Sequence, residues 1–272
     1  MLLIVINMFL SIILPAYNEE QHILSSLDQL RKQLPSICIK IEGYSLGDRF
    51  EIIIVNDGSS DQTGTIVRKY ISQCISQFPD FILQLIELPN NKGKGHAVKV
   101  GVEVARGEYI VFMDVDLSTP LTELPKLVEA IQKDCAIAIG SRGLPQSQIV
   151  IHQPIYREMM GKMFNVLVKL FVIKGIHDTQ CGFKAFRSHE AKQIFGLLQT
   201  HRFSFDVEIL LIAQELKIIV REIPITWHNS FGSKVSPIRD SWEMFYSLLQ
   251  MKRQVRKNIL AKPVEERVLR GN

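Results

Sequence analysis

Cysteine is scarce: Cys38, Cys74, Cys135 and Cys181 are the only four in 272 residues. None is spaced as Cys-x-x-Cys and no histidine cluster accompanies them. That argues against a structural zinc site and makes reduced thiols in a cytosolic protein the expectation. No Lys or Arg precedes Arg31, so the basic start of a secretory leader is absent. The apolar opening MLLIVINMFLSIIL is shorter than the ~18–20 residues needed to span a bilayer. It is expected to supply a first buried strand, Phe9–Leu14, behind an apolar extension. No later stretch is long enough to span either. There is no internal repeat and no low-complexity tract. No segment interleaves aromatic and basic residues, which argues against nucleic acid as a partner.

What is present is ordinary globular composition, 46% hydrophobic and 22% charged. The length suits one large α/β domain, alone or with a C-terminal appendage. The net charge of +4 hides an asymmetry: acidic residues outnumber basic ones over 1–150, and the reverse holds over 151–272. A metal on one side and an anionic ligand or membrane surface on the other would account for that division.

Short apolar runs alternate with helical patterns. Strands are expected at 9–14, 51–55, 81–88, 108–113 and 135–140, with helices at 19–33, 62–77, 94–105 and 121–133. Residues 35–50, with Pro35, Gly43 and Gly47, read as a loop insertion. Beyond residue 142 the pattern predicts a long helix at 155–174, a short strand at 182–186, a helix at 205–216, a β-rich run at 217–226 and a helix at 240–257. The last fifteen residues are polar and read as disordered. Alternation of this kind predicts a mostly parallel sheet with helices on both faces, whose ligands gather at the carboxyl ends of the strands.

The polar motifs of the first half all fall at such ends. Asp114 and Asp116 follow the apolar run 108–113. In an extended strand, i and i+2 point to one side, and two carboxylates there suit a hard cation that also holds a phosphate. The plainer alternative is an acidic turn capping the helix after Pro120. Pro15, Ala16, Tyr17, Asn18, Glu19 and Glu20 follow the first strand, where Asn18 could cap a helix. Asn56, Asp57, Gly58, Ser59, Ser60 and Asp61 follow the second, with Gly58 suited to a tight turn. Asn91, Lys92, Gly93, Lys94, Gly95 and His96 follow the third. That loop is neither a Walker motif nor G-x-G-x-x-G, so ATP or dinucleotide binding is not supported.

Together, in this order and spacing, the stretches 11–20, 51–61, 91–95 and 114–116 resemble those of family 2 glycosyltransferases, whose fold is the nucleotide-sugar-binding GT-A fold. In the second half, Gly140-Ser-Arg142, Arg157, Asp178-Thr-Gln-Cys-Gly-Phe-Lys184, 203–208 and Gly232-Ser-Lys234 are similar to the polyprenyl-phosphate glycosyltransferases. The dolichyl-phosphate β-glucosyltransferases look nearest, with the dolichyl-phosphate mannose synthases next. The resemblance spans roughly residues 9–250. Asn56 stands where many relatives carry Asp.

The resemblance implies an inverting hexosyltransferase that carries glucose from a UDP-sugar to a polyprenyl phosphate. It implies that Asp57 reads the uracil at a mouth formed by Pro15, Tyr17 and Glu19. Asp114, Val115 and Asp116 would form the donor turn, its carboxylates holding Mg²⁺ or Mn²⁺, with Lys94 and Lys234 as further donor contacts. Arg142 and Arg157 would face donor or acceptor phosphate, a task that suits a guanidinium fork. It implies a GT-A domain over 1–235, with donor half 9–142 and acceptor half 143–235, followed by a C-terminal helix and basic tail at 236–272. It also implies a peripheral enzyme on the cytoplasmic face of a membrane. The residues offer some support: Glu158, Lys162, Asn165 and Lys169 form one narrow polar stripe on an otherwise apolar helix, which is either buried in protein or laid on lipid. The helix at 240–257 ends in Lys252, Arg253, Arg256 and Lys257 beside Trp242, Phe245, Leu248 and Leu249. It could meet anionic headgroups or be a surface helix with favourable C-terminal charge.

Overall fold

The computed structural model describes residues 8–45, 49–77, 81–151, 173, 175–202, 204–228 and 251–260. The first strand, β1 (Met8–Ala16), is apolar along nearly its whole length, as a strand covered on both faces must be. It pairs in parallel with β2 (Arg49–Asn56) and β4 (Tyr109–Met113), and β2 pairs in parallel with β3 (Ile82–Glu87). Beyond β4, strand β7 (Phe183–Arg187) runs antiparallel to both β4 and β5 (Ile137–Ser141), and β8 (Val220–Pro224) lies parallel to β5. The seven strands are ordered β3-β2-β1-β4-β7-β5-β8, and a separate parallel ribbon joins β6 (Gln148–Ile151) to β9 (Thr226–His228).

Period-2 alternation divides the core into two layers. Leu10, Ile12 and Leu14 of β1 face the layer that holds α1 (Ile23–Cys38), α2 (Thr63–Gln77) and α4 (Leu124–Lys133). Ile13 of β1 faces the other, with α3 (Lys94–Val104), α5 (Ser188–Leu197) and α6 (Phe205–Glu215). Helices thus cover both faces, as the alternation of apolar runs predicts. Met251 and Val255, in helical residues 251–260, are buried in this second layer, and Arg256 Nε donates to Glu215 Oε1 at 2.9 Å. Helix α3 lies close to β1 because Gly101 has no side chain: a Cβ there would stand 2.5 Å from Ile13 Cγ2.

The strands appear where the apolar runs place them, and three differences are informative. Helix α1 continues through Pro35 to Cys38, so the expected loop insertion begins later than residue 35. Proline costs one helical N–H, but Ile37 and Cys38 are buried beyond it, and that burial outweighs the loss. The expected helix at 121–133 opens as a 3₁₀ turn over Leu121–Glu123. Helix α5 and strands β6 and β9 are additional to the expected elements; each is short, and none repeats its period long enough to stand out. The expected helix at 155–174 lies almost wholly outside the described residues, as do 240–250 of the second helix and 261–272 of the tail. Among the described residues no helix is long and apolar enough to cross a membrane.

The edge of the sheet opposite the carboxyl ends is pinned by one buried charge. Glu51 is fully buried and accepts hydrogen bonds from Ser11 Oγ (2.6 Å), Arg106 N (2.8 Å), Arg106 Nε (3.0 Å) and Arg106 Nη2 (2.6 Å). A buried carboxylate without such donors is costly. Arg106→Ala leaves Glu51 with Ser11 and one backbone N–H. It is expected to lower stability by about 1–3 kcal/mol, read as a shift in the urea midpoint with an unchanged slope.

Candidate active site

Because β1 to β5 run in one direction and only β7 is reversed, the segments that leave β1 to β5 emerge along one edge. The first is held to the second by a lattice of short hydrogen bonds. Asn18 takes a left-handed conformation (φ 54°), and its Oδ1 accepts from Ser60 N at 2.8 Å, while Asn18 N donates to Ser59 Oγ at 2.9 Å. Glu19 N donates to Thr63 Oγ1 at 2.7 Å and Gln62 N to Glu20 Oε2 at 3.0 Å. Asn18 therefore does not cap α1, whose N-cap is His22. Pro15, near the end of β1, is half-buried, Tyr17 is exposed and Glu19 half-buried, all on this rim.

Asp57 is 2% exposed. Its Oδ1 accepts from Lys92 N (2.9 Å), and its Oδ2 accepts from Gly93 N (2.7 Å) and Asn91 Nδ2 (2.9 Å). The loop after β3 is thereby wrapped onto the end of β2. Gly58 (φ 67°) makes the contact possible, since a Cβ there would stand 2.5 Å from the backbone of Asn90. Asn56 serves the same corner as an amide: its Oδ1 accepts from Ser59 N (3.1 Å) and its Nδ2 donates to Glu87 (3.4 Å). A carboxylate at 56 could not donate to Glu87.

Asp114 and Asp116 stand on a turn, not on an extended strand. Leu117 N donates to Asp114 O (3.2 Å), Leu117 is left-handed (φ 49°), and Asp116 Oδ1 accepts from Ser118 N (3.0 Å). The turn keeps the expected alternation: Val115 is buried in the first core layer, and both carboxylates face outward, half-buried. Ser26 of α1 locks it from below by donating to Val115 O. Neither Asp caps the short helix after Pro120, which has no side-chain cap. Asp114 is held on two sides. Lys94, the first residue of α3, places Nζ 2.6 Å from Asp114 Oδ1. Gly182 closes the other side, where a Cβ would stand 2.0 Å from Asp114 Oδ2.

Behind this turn sits a buried ion pair, Lys184 on β7 with Asp206 in the first turn of α6. Lys184 Nζ also donates to Cys181 O at 2.7 Å. Burial pushes the Asp206 carboxyl above its ordinary range, against the pull of Lys184 and Lys94. Burial would also lower Lys94, but Asp114 and Asp206 outweigh it and hold the ammonium above the usual lysine range. Glu208, two residues on, accepts from Gln199 N (2.9 Å) and Thr200 N (2.7 Å) and so ties down the approach to α6. The ring of His96 lies edge-on to His201, 5.2 Å between centres, and burial lowers its pKa, helped by Lys92 and His201.

Arg142 is engaged within the protein. Its Nε donates to Asp178 Oδ2 (2.7 Å) and its Nη2 to Asp178 Oδ1 (3.0 Å), and its guanidinium lies 5.3 Å from the ring centre of Trp227. Burial would raise Asp178, but Arg142 outweighs it and holds the carboxyl below the usual range. Glu222 steadies the pair by accepting from His177 N (2.8 Å) and Asp178 N (2.9 Å). Arg157 and Lys234 lie outside the described residues. The edge therefore brings together Asp57, Lys94, Asp114 and Asp116, with Arg142 anchored to Asp178. Roles for Ser26, Glu222 and Trp227 are not readable from motif spacing. Asp206 and Glu208 do leave a signal: two acids at the start of a helix whose next five residues are apolar.

The donor set fits a hard divalent cation. Two outward carboxylates on one turn supply oxygen ligands, and among the described residues no third acid, histidine or cysteine completes a cluster. That leaves positions for phosphate and water, which is how Mg²⁺ is usually held beside nucleotides.

The family model "Glycosyl transferase family 2" matches residues 11–195. A dolichyl-phosphate beta-glucosyltransferase of Dictyostelium discoideum is 36% identical over 251 residues, covering 90% of this chain and 74% of that protein. The enzyme of the same name from Saccharomyces cerevisiae is 38% identical over 257 residues, covering 89% and 74%. Among solved structures, the mannosyltransferase PcManGT from Pyrobaculum calidifontis, in complex with GDP-Man and Mn²⁺, superposes with a TM-score of 0.56 at 14% identity. It covers 97% of this chain and 79% of that one, a likeness of fold alone.

The Arg142–Asp178 pair carries a pH signature. Asp178 titrates lower in the folded chain than in the unfolded one, so its stabilisation is complete above the ordinary aspartate range and is lost as pH falls through the lower folded value. Asp178→Asn is expected to cost about 3 kcal/mol at pH 7, because Arg142 loses its counter-charge. It is also expected to flatten the loss of stability below about pH 4, measured by urea unfolding between pH 7 and 3.

Proposed function

The chain belongs to the family 2 glycosyltransferases and has their GT-A fold, and from that premise we propose that it moves glucose from UDP-glucose to a polyprenyl phosphate of the dolichyl type, with inversion to a β-linked lipid sugar. The observation that carries this reading is the meeting of Asp114, Asp116 and Lys94 at one strand-end edge, in a chain matched over nine-tenths of its length by enzymes named for that transfer.

Asp114 and Asp116 would hold Mg²⁺ or Mn²⁺. When bound, such an ion neutralises the donor diphosphate and stabilises UDP as it leaves. Asp57, with Pro15, Tyr17 and Glu19, lies where the nucleoside base would enter. Three of its roughly four lone-pair directions are taken by the 91–93 loop, which leaves it one. Lys94 is placed to reach the diphosphate. Arg142, fixed by Asp178 through Nε and Nη2, would offer a phosphate its Nη1, which no bond among the described residues engages. Arg157 is proposed as a second phosphate contact and Lys234 as a further donor contact.

The acceptor phosphate is already an anion near neutral pH. Its oxygen forms the new bond to the anomeric carbon while the bond from that carbon to UDP breaks, with the electron pair leaving on the diphosphate. No side chain has to remove a proton. The apolar stretch 155–174, by its sequence, and the exposed Lys252, Arg253 and Lys257 are proposed to rest on the cytoplasmic face of the membrane that carries the lipid.

Incubation with labelled UDP-glucose, UDP-galactose or GDP-mannose, plus a polyprenyl phosphate and Mn²⁺, tests the reading after lipid extraction. Glucosyl lipid from UDP-glucose alone is expected. A labelled lipid from another donor instead would overturn the choice of sugar, and none from any donor would overturn the acceptor. Asp116→Ala is expected to lower transfer about 10³-fold or more with the far-UV spectrum and melting temperature unchanged. Gly182→Ala, whose new methyl must displace the Asp114 carboxylate, is expected to lower it roughly 100-fold in a chain that still folds.

A further inference from the structure

Lys94 is where a phosphate ligand is expected, yet its ammonium rests on a carboxylate. Nζ is 2.6 Å from Asp114 Oδ1, and the rings of Phe112 and Phe205 wall it in at 6.0 and 5.9 Å. Its side chain is only 20% exposed, whereas that of Asp114 is 43% exposed. The anions around it are Asp114 in front and Asp206 behind, and Asp206 is already paired with Lys184. Two cations thus face three carboxylates here, once Asp116 is included. A divalent ion on Asp114 and Asp116 would bring two further positive charges against the ammonium at contact distance. The donor diphosphate that comes with it carries about two negative charges and restores the balance.

Resting on the metal and donor roles proposed above, we infer that Lys94 is a tethered placeholder cation. It neutralises Asp114 in the metal-free protein, yields that carboxylate to the divalent ion, and moves onto the donor diphosphate, while Asp206 keeps the ammonium from leaving the site. The stem of lysine is long and flexible enough for such a swing, and the glycines on either side anchor its base. A Cβ at Gly93 would stand 2.6 Å from His201 O and one at Gly95 2.6 Å from Phe205 Cβ, so the backbone stays put while the ammonium moves. One consequence is thermodynamic. Metal alone must break an ion pair, while metal with nucleotide finds the ammonium a new partner. The two ligands are therefore coupled beyond their direct contact, and the coupling is reciprocal. Lys94 would act as a positioning residue for the metal and a binding residue for the donor.

The test is Mn²⁺ affinity, read by electron paramagnetic resonance without and with UDP. In Lys94→Met, Mn²⁺ alone is expected to bind about fivefold tighter or more, and the gain in affinity on adding UDP is expected to shrink by a similar factor. Lys94→Arg, which keeps a cation there, is expected to stay near the wild-type chain. Asp116→Ala, the control, is expected to lose Mn²⁺ binding. Should Lys94→Met fail to fold, the wild-type chain carries the test through acylation of Lys94 by a small amine-reactive ester, mapped by mass spectrometry. Mg²⁺ alone is expected to raise labelling at Lys94, and Mg²⁺ with UDP to lower it again. Unchanged or weaker Mn²⁺ binding in Lys94→Met, or labelling indifferent to Mg²⁺, overturns the inference while Asp116→Ala still supports the metal site. A wild-type chain that binds no Mn²⁺ overturns the metal reading and this inference together.

Discussion

Asp57 is a carboxylate taken out of water at the end of a central strand, and it is tolerated because a neighbouring loop supplies its hydrogen bonds. Lys92 N, Gly93 N and Asn91 Nδ2 all donate to it. Bonds to a charged acceptor contribute about 1.5–3 kcal/mol each, and losing them would leave a buried charge. The contact therefore fixes the path of 91–93, including the left-handed Gly93. It also fixes where α3 begins. Lys94 is the first residue of that helix, so the position of its ammonium beside Asp114 follows from a carboxylate nearly forty residues earlier. The segment 17–20, latched to 59–63, hangs from the same corner.

The two long edges of the sheet manage charge differently. At the amino edge, Glu51 is sealed by Arg106 and Ser11 and has no room for another partner. At the carboxyl edge, Asp114 and Asp116 are half-buried and keep oxygens facing outward. Glu51 is a closed circuit, whereas the 114–117 turn is held by Lys94 and Gly182 and still leaves both carboxylates half-exposed. The second half of the chain narrows that opening without closing it. Gly182 presses on Asp114, and the Arg142–Asp178–Glu222 chain stands beyond it on the same side, over β5 and β8.

Much of this was legible in the linear sequence because its causes are local. An apolar run followed by Asn-Asp-Gly or Asp-Val-Asp signals a buried strand and its turn, and β1, β2 and β4 lie where those runs are. Gly58 was readable as a turn residue for the same reason. Partner choice was not local. Nothing near Arg142 announces Asp178, thirty-six residues on, and nothing near Asp57 announces that its acceptors serve a loop. Helix α5 and strand β6 escaped because they are short and half-exposed, and α1 outran Pro35 because tertiary burial overrode a local breaker. The Asp114–Asp116 pair was legible as chemistry while its geometry was not. The pair was expected at the strand's end with extended-strand alternation, and the left-handed Leu117 shows that a turn produces the same outward pair.

Strand β7 runs against its neighbours, and that reversal has an architectural consequence. A parallel strand delivers its trailing residues to the ligand edge, whereas an antiparallel one delivers its leading residues. Residues 178–182 therefore reach Asp114 before the chain enters the sheet, and everything after Arg187 departs from the far side. The lead-in is fastened at one end by the register of β7 on β4 and β5, and at 177–178 by Arg142 and Glu222. One reversed strand thus brings a glycine against the Asp114 carboxylate, where a parallel strand would have had to supply it from its trailing end.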